Sequence, residues 1–116
     1  MIFVIIAVIA LFIVGVIIFL FPIVQVIGDS MYPTYKDGEY LHGYRLFSKI
    51  KVGDVVVCKL NRKGEKLSVI KRIAEIKGDE VFILGDNSEV SYDSREYGYV
   101  PKKNIICRVK EQRTKL

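Results

Sequence analysis

Hydrophobic and polar positions divide this chain into two unlike parts. Residues 1–28 carry no charged side chain, and Gln25 is the most polar among them. Residues 2–23 form an apolar run rich in Ile, Val and Phe, interrupted in character only by Gly15 and Pro22. As a helix it would reach about 33 Å, enough to cross a hydrocarbon core of about 30 Å. Those side chains are poor helix formers in water. In lipid, however, the backbone must bond within itself, and the helix is the open solution. Pro22 closes or bends that helix near its far end. Residues 1–27 therefore read as a transmembrane anchor. A cleaved signal peptide fits less well: the run is longer than an ordinary hydrophobic core segment, no basic stretch precedes it and no small-x-small site follows. A wholly buried helix would need apolar partners on every side, more than the remaining chain can supply.

Beyond residue 28 the pattern becomes short apolar runs separated by turn residues. Residues 24–28 leave the membrane extended, 33–37 turn, and 39–42 make a short strand. A turn at 52–54 leads into a strand at 55–60. A polar hairpin loop at 61–66, with Gly64 inside it, leads into a long strand at 67–76. Residues 77–79 turn again and 80–84 pair back as a hairpin. Residues 85–98 are polar, irregular and bounded by glycine, and 104–109 make the last strand. The expected fold is an all-β domain over residues 28–110: a small, partly closed, bent antiparallel sheet of five or six strands, without a soluble helix, behind one N-terminal transmembrane helix. The charged tail at 111–116 is expected to fray.

Length and charge narrow this further. A chain of 116 residues holds one small domain. The net charge of +5 lies entirely beyond residue 28. Its basic residues are scattered among acids without a nucleic-acid signature, so no nucleic-acid partner is expected, and attraction to anionic lipid is the economical use of the charge. Only Lys36 is basic between Asp29 and Gly43, against Asp29, Asp37 and Glu39. The positive-inside rule then faintly favours a cytoplasmic N-terminus and an extracytoplasmic domain. Cys58 and Cys107 each sit in a strand-like run. An outside domain permits a disulfide, but buried thiols used as small apolar fillers are the simpler reading.

Three stretches are candidates for chemistry. The run GDSMYPT, residues 28–34, places Ser30 on a constrained connection just past the membrane boundary; taken alone, a serine there is ordinarily a turn residue. In LSVIKRIAEI, strand alternation puts Lys71 on one face with Leu67, Val69 and Ile73. Apolar neighbours disfavour an ammonium and lower its pKa. A base near neutral pH would need roughly 3–4 kcal/mol of such bias. On periodicity alone, a lysine snorkelling from a sheet edge is the plainer reading. The third stretch, GDNSEVSYDSR at residues 85–95, alternates Ser91, Asp93 and Arg95 after a tight turn. A hydroxyl there can hold a lysine amine and an Asp–Arg pair can fix the loop, or the whole is a solvated surface loop. Its acids do not have the spacing of a calcium hand. His42, the sole histidine, looks exposed. One His and two separated Cys make no zinc set, so neither metal nor cofactor is expected. Ser48-x-x-Lys51 matches the bare motif of penicillin-binding proteins, whose companion motifs are absent.

Taken in order, GDSMYPT, VGDVVV at residues 52–57, KRI at 71–73 with Gly78-Asp79, GDNSEVSYDSR and GYVP at 98–101 closely resemble signal peptidase I, the leader peptidase family of serine proteases. The resemblance covers most of the chain and implies an all-β catalytic domain on the outer membrane face that removes signal peptides from exported preproteins. Ser30 matches the family's nucleophile, Met31 the residue after it, and Lys71 its general base. The lysine resembles the bacterial-type Ser–Lys branch; the archaeal and endoplasmic-reticulum branch usually has histidine there. Ser91 resembles the hydroxyl that orients the lysine, Asp93 and Arg95 the structural pair, and Asp86 the first acid of the last block. The resemblance further implies cleavage after small residues at the first and third positions before the cut. The substrate would be bound as an added strand along residues 24–28 and 67–70, with Val26, Gly28, Asp29, Val69 and Ile70 as binding residues. Two departures stand out. Gly28 occupies a position where some bacterial members carry a serine that completes the oxyanion hole. The short link from Gly78-Asp79 to Gly85 omits the second β domain of larger members, implying a minimal form. Expected partners are signal peptides of preproteins and the lipid bilayer, with the oligomeric state open. A maturation protease for one exported substrate and a non-catalytic tethered β domain are the alternatives.

Overall fold

The computed structural model describes residues 1–45 and 49–110. Ser48 and the tail at 111–116 lie outside the described residues. Helix α1 runs Ile2–Leu20, 19 residues, and none of them is buried. Among the described residues it is the one helix long and apolar enough to cross a membrane. An apolar surface left bare on all sides suits hydrocarbon rather than a protein core, which supports a single-pass membrane protein.

The strands follow as β1 (Ile23–Gln25), β2 (Tyr40–Tyr44), β3 (Val55–Arg62), β4 (Glu65–Lys77), β5 (Glu80–Leu84), β6 (Val100–Pro101) and β7 (Ile105–Val109). They form a seven-stranded sheet of order β1-β2-β7-β3-β4-β5-β6, and every pairing is antiparallel. The β3–β4 hairpin is its spine, pairing from Val55↔Arg72 to Arg62↔Glu65. Its turn is made by Lys63 and Gly64, both at positive φ, which the glycine takes without strain.

This corrects the expected fold class. The chain is mixed α/β rather than all-β, because α1 and a short helix α2 (Ser94–Tyr97) join the sheet. The sheet is also open rather than partly closed. Among the described residues β1 pairs only with β2 and β6 only with β5. β6 has two residues and ends in Pro101, which has no N–H to extend a ladder. The helix at 94–97 arises inside the stretch expected to be irregular. Asp93 caps it: its side chain accepts from Arg95 N–H at 3.2 Å, and Glu96 Oε1 accepts from Asp93 N–H at 3.2 Å. That reciprocal capping box is written as D-S-R-E, residues 93–96.

The sheet buries apolar side chains on both faces. Val55 to Cys58 are all buried, which is why VVVC is a continuous run and not an alternating one. Val55 and Val57 pack with Met31, Tyr35, Leu41 and Ile70 on one side. Val56 and Cys58 pack with Ile73, Val81, Ile83 and Val100 on the other. Each such side chain withdrawn from water contributes about 1.5–3 kcal/mol. Cys58 and Cys107 are free thiols in different clusters, so both serve as apolar filler. Burial, helped by Cys107, pushes the Cys58 thiol up to about 12.

Candidate active site

Lys71 lies on β4 with its side chain on the same face as Ile73, and only 4% of it is exposed. Burial lowers the pKa of its amine; Asp93 opposes the shift, and Arg95 adds to it. Its Nζ donates to Ser91 Oγ at 3.2 Å. Ser91 Oγ in turn donates to Asp93 Oδ2 at 2.7 Å. A hydroxyl has one proton, so a serine that donates to Asp93 can only accept from the lysine. The amine is thereby oriented by one N–H, and in its neutral form the lone pair is left for another partner.

Asp93 is the hub that fixes Ser91. It is fully buried, and burial alone would raise its carboxyl. The Arg95 guanidinium, the Gly85 N–H and the Ser91 hydroxyl overcome this and hold it well below the usual carboxylate range. Arg95 reaches it with Nε at 3.0 Å and Nη2 at 2.7 Å, and Gly85 N–H at 2.8 Å. Cap residue, lysine anchor and loop tie therefore meet in one carboxylate.

Ser30 reaches the same cleft from the other side. It lies half-buried on the connection between β1 and β2, and Asn87 N–H donates to its carbonyl at 2.8 Å. Asn87 Nδ2 donates to Asp29 O at 3.1 Å, and Asp86 N–H reaches Met31 Sδ at 3.4 Å. The buried Met31 side chain plugs this connection into the core beside Tyr35. Asp86 adds a third tie. It accepts from Thr34 Oγ1 at 2.6 Å and is gripped by Arg72 through Nε and Nη2, both at 2.9 Å. Burial raises its carboxyl, but Arg72 and then Thr34 bring it below its ordinary value. Residues 85–87 thus staple the Ser30 segment to β4.

Ser30 and Lys71 together line two adjoining clefts. One, of about 200 Å³, lies between Val24, Gln25 and Ile27 on one side and Ser68, Val69 and Ile70 on the other. β4 pairs with β3 at 65–72 and with β5 from Arg72 onward, so among the described residues its second edge before Lys71 carries no strand. The larger, of about 360 Å³, includes Gly28, Asp29, Val69, Leu67, Val90 and Tyr92. Arg62 stacks over Tyr92 at 4.1 Å on its rim.

Most of the residues singled out from the sequence therefore gather here. Val26 does not: its side chain is in the core, its N–H donates to Glu39 O at 2.8 Å, and its carbonyl accepts from Gly38 N–H at 2.7 Å. Exposed His42 pairs with Ile23 across β1 and β2, outside the residues lining either cleft. Sequence reading passed over Arg72, Thr34 and Gly85. A Cβ on Gly85 would meet Ser91 Cβ at 2.6 Å and Ser30 O at 2.7 Å, so this glycine lets the two loops touch. The available signal was Arg72 itself, a second cation that strand alternation turns to the face opposite Lys71.

A family model described as signal peptidase, peptidase S26, matches residues 1–81 and 74–112. The chain is 34% identical over 119 aligned positions to mitochondrial inner membrane protease subunit 1 of Schizosaccharomyces pombe, covering 78% of this chain and 74% of that protein. It is 36% identical over 92 positions to the signal peptidase complex catalytic subunit SEC11 of Clavispora lusitaniae, covering 73% of this chain and 54% of the relative. A shorter match, 50% over 34 positions, is to signal peptidase I of Leptolyngbya laminosa, covering 29% of this chain and 17% of that one. The chain thus spans about half of the SEC11 relative and a small part of the Leptolyngbya one.

Proposed function

The chain belongs to the signal peptidase family, peptidase S26, and from that premise we propose that it is a membrane-bound serine endopeptidase of the Ser–Lys type that removes signal peptides from exported preproteins. Ser30 is the nucleophile and Lys71 the general base. The observation that carries the reading is a buried lysine with a lowered pKa, bonded among the described residues to a hydroxyl and not to a carboxylate, in a cleft that Ser30 also lines. A lysine placed to stay charged would sit against an acid or in water.

In the proposed reaction neutral Lys71 takes the Ser30 Oγ proton as Oγ attacks the scissile carbonyl. Backbone donors near Ser30 stabilise the tetrahedral oxyanion. The intermediate collapses to an ester on Ser30 as Lys71 passes the proton to the leaving amine. Lys71 then takes a proton from water as it attacks the ester, and returns that proton to Ser30 Oγ as the second tetrahedral intermediate collapses and frees the acid. Ser91 and Asp93 position the amine, and Arg95 holds Asp93. Asp86 and Met31 hold the Ser30 connection. The extended substrate adds between residues 24–28 and the unpaired edge of β4 at 67–70, beside Val69 and Ile70, with Gly28 and Asp29 next to the scissile bond. Small side chains at the first and third positions before the cut suit a strand laid so close to both walls. Residues 1–27 form the anchor, with the N-terminus cytoplasmic, and residues 28–110 form an extracytoplasmic peptidase unit of the bacterial-type branch, in a minimal form without a second β domain.

A maturation protease for one exported substrate, using the same pair of residues, is the second reading. It is favoured by the match to a protein named inner membrane protease as well as to signal peptidases. Cleavage trials on several unrelated preproteins separate the two. The test of the chemistry is a serine-reactive phosphonate or lactam followed by intact mass. One adduct on the wild-type chain, and none on S30A, is the expected result. An adduct that persists on S30A overturns the assignment.

A further inference from the structure

The membrane helix meets the sheet at one joint. No side chain of α1 is buried, so side-chain packing leaves its direction free. The backbone at its end does not. The last carbonyls of a helix lack partners within it, and near lipid such groups are costly to leave bare. Here the sheet takes them. Phe19 O accepts from Arg45 Nε at 2.8 Å, and Leu20 O accepts from Arg45 N–H at 2.7 Å. Pro22 O accepts from Gly43 N–H at 2.8 Å. The same guanidinium lies over the Phe19 ring, 4.6 Å from its centroid, and its Nη1 reaches Ile106 O on β7 at 3.2 Å. A cation at a helix C-terminus also meets the negative end of the helix dipole.

The fit at this joint is close. A Cβ on Gly43 would meet Cys107 Sγ at 3.0 Å, Arg108 O at 3.2 Å and Pro22 O at 3.3 Å. β1 begins at Ile23, just past the joint, and pairs with β2 through Ile23↔His42. The chain then runs from β1 through the cleft wall at Val24, Gln25 and Ile27 to Ser30. A change of angle at the joint therefore moves the cleft relative to the helix, and with it relative to the bilayer.

We propose that Arg45 is a positioning residue that locks the membrane helix to the sheet, so that the cleft stands at a set height above the bilayer and one bond of a membrane-held substrate reaches Ser30. The part of this that concerns cleavage rests on the peptidase reading above. The lock itself does not.

The experiment uses the full chain in lipid nanodiscs. Spin labels at A7C and K103C read the angle between helix and sheet; the native thiols are buried and stay unlabelled. The wild-type background is expected to give one narrow distance distribution, and R45A a broad one. R45K, which keeps the charge but loses the planar fork and the stack, is expected to resemble R45A. In parallel, a short soluble peptide and a membrane-held preprotein with the same cut residues are cleaved. R45A is expected to keep the soluble rate within about twofold while cleaving the preprotein about tenfold more slowly and at neighbouring bonds as well. A distribution as narrow in R45A as in wild type overturns the lock, and equal losses on both substrates reduce Arg45 to a structural part. Wild-type protein that cleaves neither substrate sinks the peptidase reading and Arg45's role in choosing the bond, and the distances then judge the lock alone.

Discussion

Lys71 and Arg72 stand side by side on β4, point to opposite faces of the sheet, and meet opposite environments. Lys71 is almost wholly buried, and among the described residues its hydrogen bond goes to a hydroxyl. Arg72 is partly exposed and grips Asp86 with two bonds while its Nη1 reaches Gly53 O at 2.8 Å. A guanidinium stays charged at any accessible pH and suits a planar carboxylate; an ammonium gives up its proton when water is withdrawn. One face of the strand thus destabilises a cation and the other holds one. In the proposed reaction the first supplies the base, and the second fastens the Ser30 connection to the strand that carries Lys71.

The sharpest way to break this contrast is to put an arginine where the lysine is. K71R keeps a long basic side chain but cannot become neutral. It is expected to lose activity as completely as K71A and S30A, by about a thousandfold or more in kcat/KM on a preprotein substrate. All three should keep the fold by circular dichroism. Activity in K71R within tenfold of wild type would rule out a neutral amine.

The opposite face is tested next. D86A removes the carboxylate to which the Arg72 guanidinium and the Thr34 hydroxyl both donate. With both partners of the pair partly in water, the expected loss of stability is about 1–3 kcal/mol, read from urea melts. Activity should fall with it, because the segment carrying Ser30 loses a staple. The pH at which activity appears should stay put, since Asp86 is not among the groups that shift Lys71.

How much of this was legible beforehand follows from what each signal depends on. The anchor could be read because a run of apolar residues states its solvent directly. β5 at Glu80–Leu84 and the start of β3 at Val55 matched as expected, because Gly-Asp turns fix strand ends locally. The open sheet was not legible, since closure depends on whether distant edges meet, and two residues ending in proline at β6 cannot recruit one. α2 was missed because residues 85–98 were read as irregular from their polarity and bounding glycines, while the capping box is a four-residue signal inside that stretch. Lys71 looked like an edge lysine from periodicity. The hydroxyl that holds its amine and the charges that act on it come from residues 91–95, brought over by a loop whose path no local pattern encodes.

Gly85 probes that loop path with a smaller effect. G85A adds one methyl where Ser91 Cβ and Ser30 O would lie 2.6 and 2.7 Å away. Neither the backbone at Ser30 nor the β-carbon of Ser91 can yield without moving the groups they carry. We expect kcat to fall about ten- to a hundredfold with KM little changed, as for a misplacement of reacting groups. Wild-type kinetics in G85A would mean that the two loops have slack.

The finest prediction keeps Ser30 and Lys71 and removes a charge close to the amine, together with the two bonds that Arg95 makes to Asp93. Arg95 lowers the pKa of Lys71, whereas Asp93 raises it. R95Q removes the positive charge and leaves more of the Asp93 charge unbalanced, and both changes favour the ammonium. The amine then gives up its proton at higher pH. Activity should therefore begin to rise at a higher pH than in wild type, with the plateau reached once the amine is neutral nearly preserved. R45Q offers the control, a lost guanidinium that is not among the groups shifting Lys71, so its acid limb should stay where it is on a soluble peptide. An acid limb that moves down in R95Q, or does not move, would mean that the rate is governed by some other titrating group than the amine on β4.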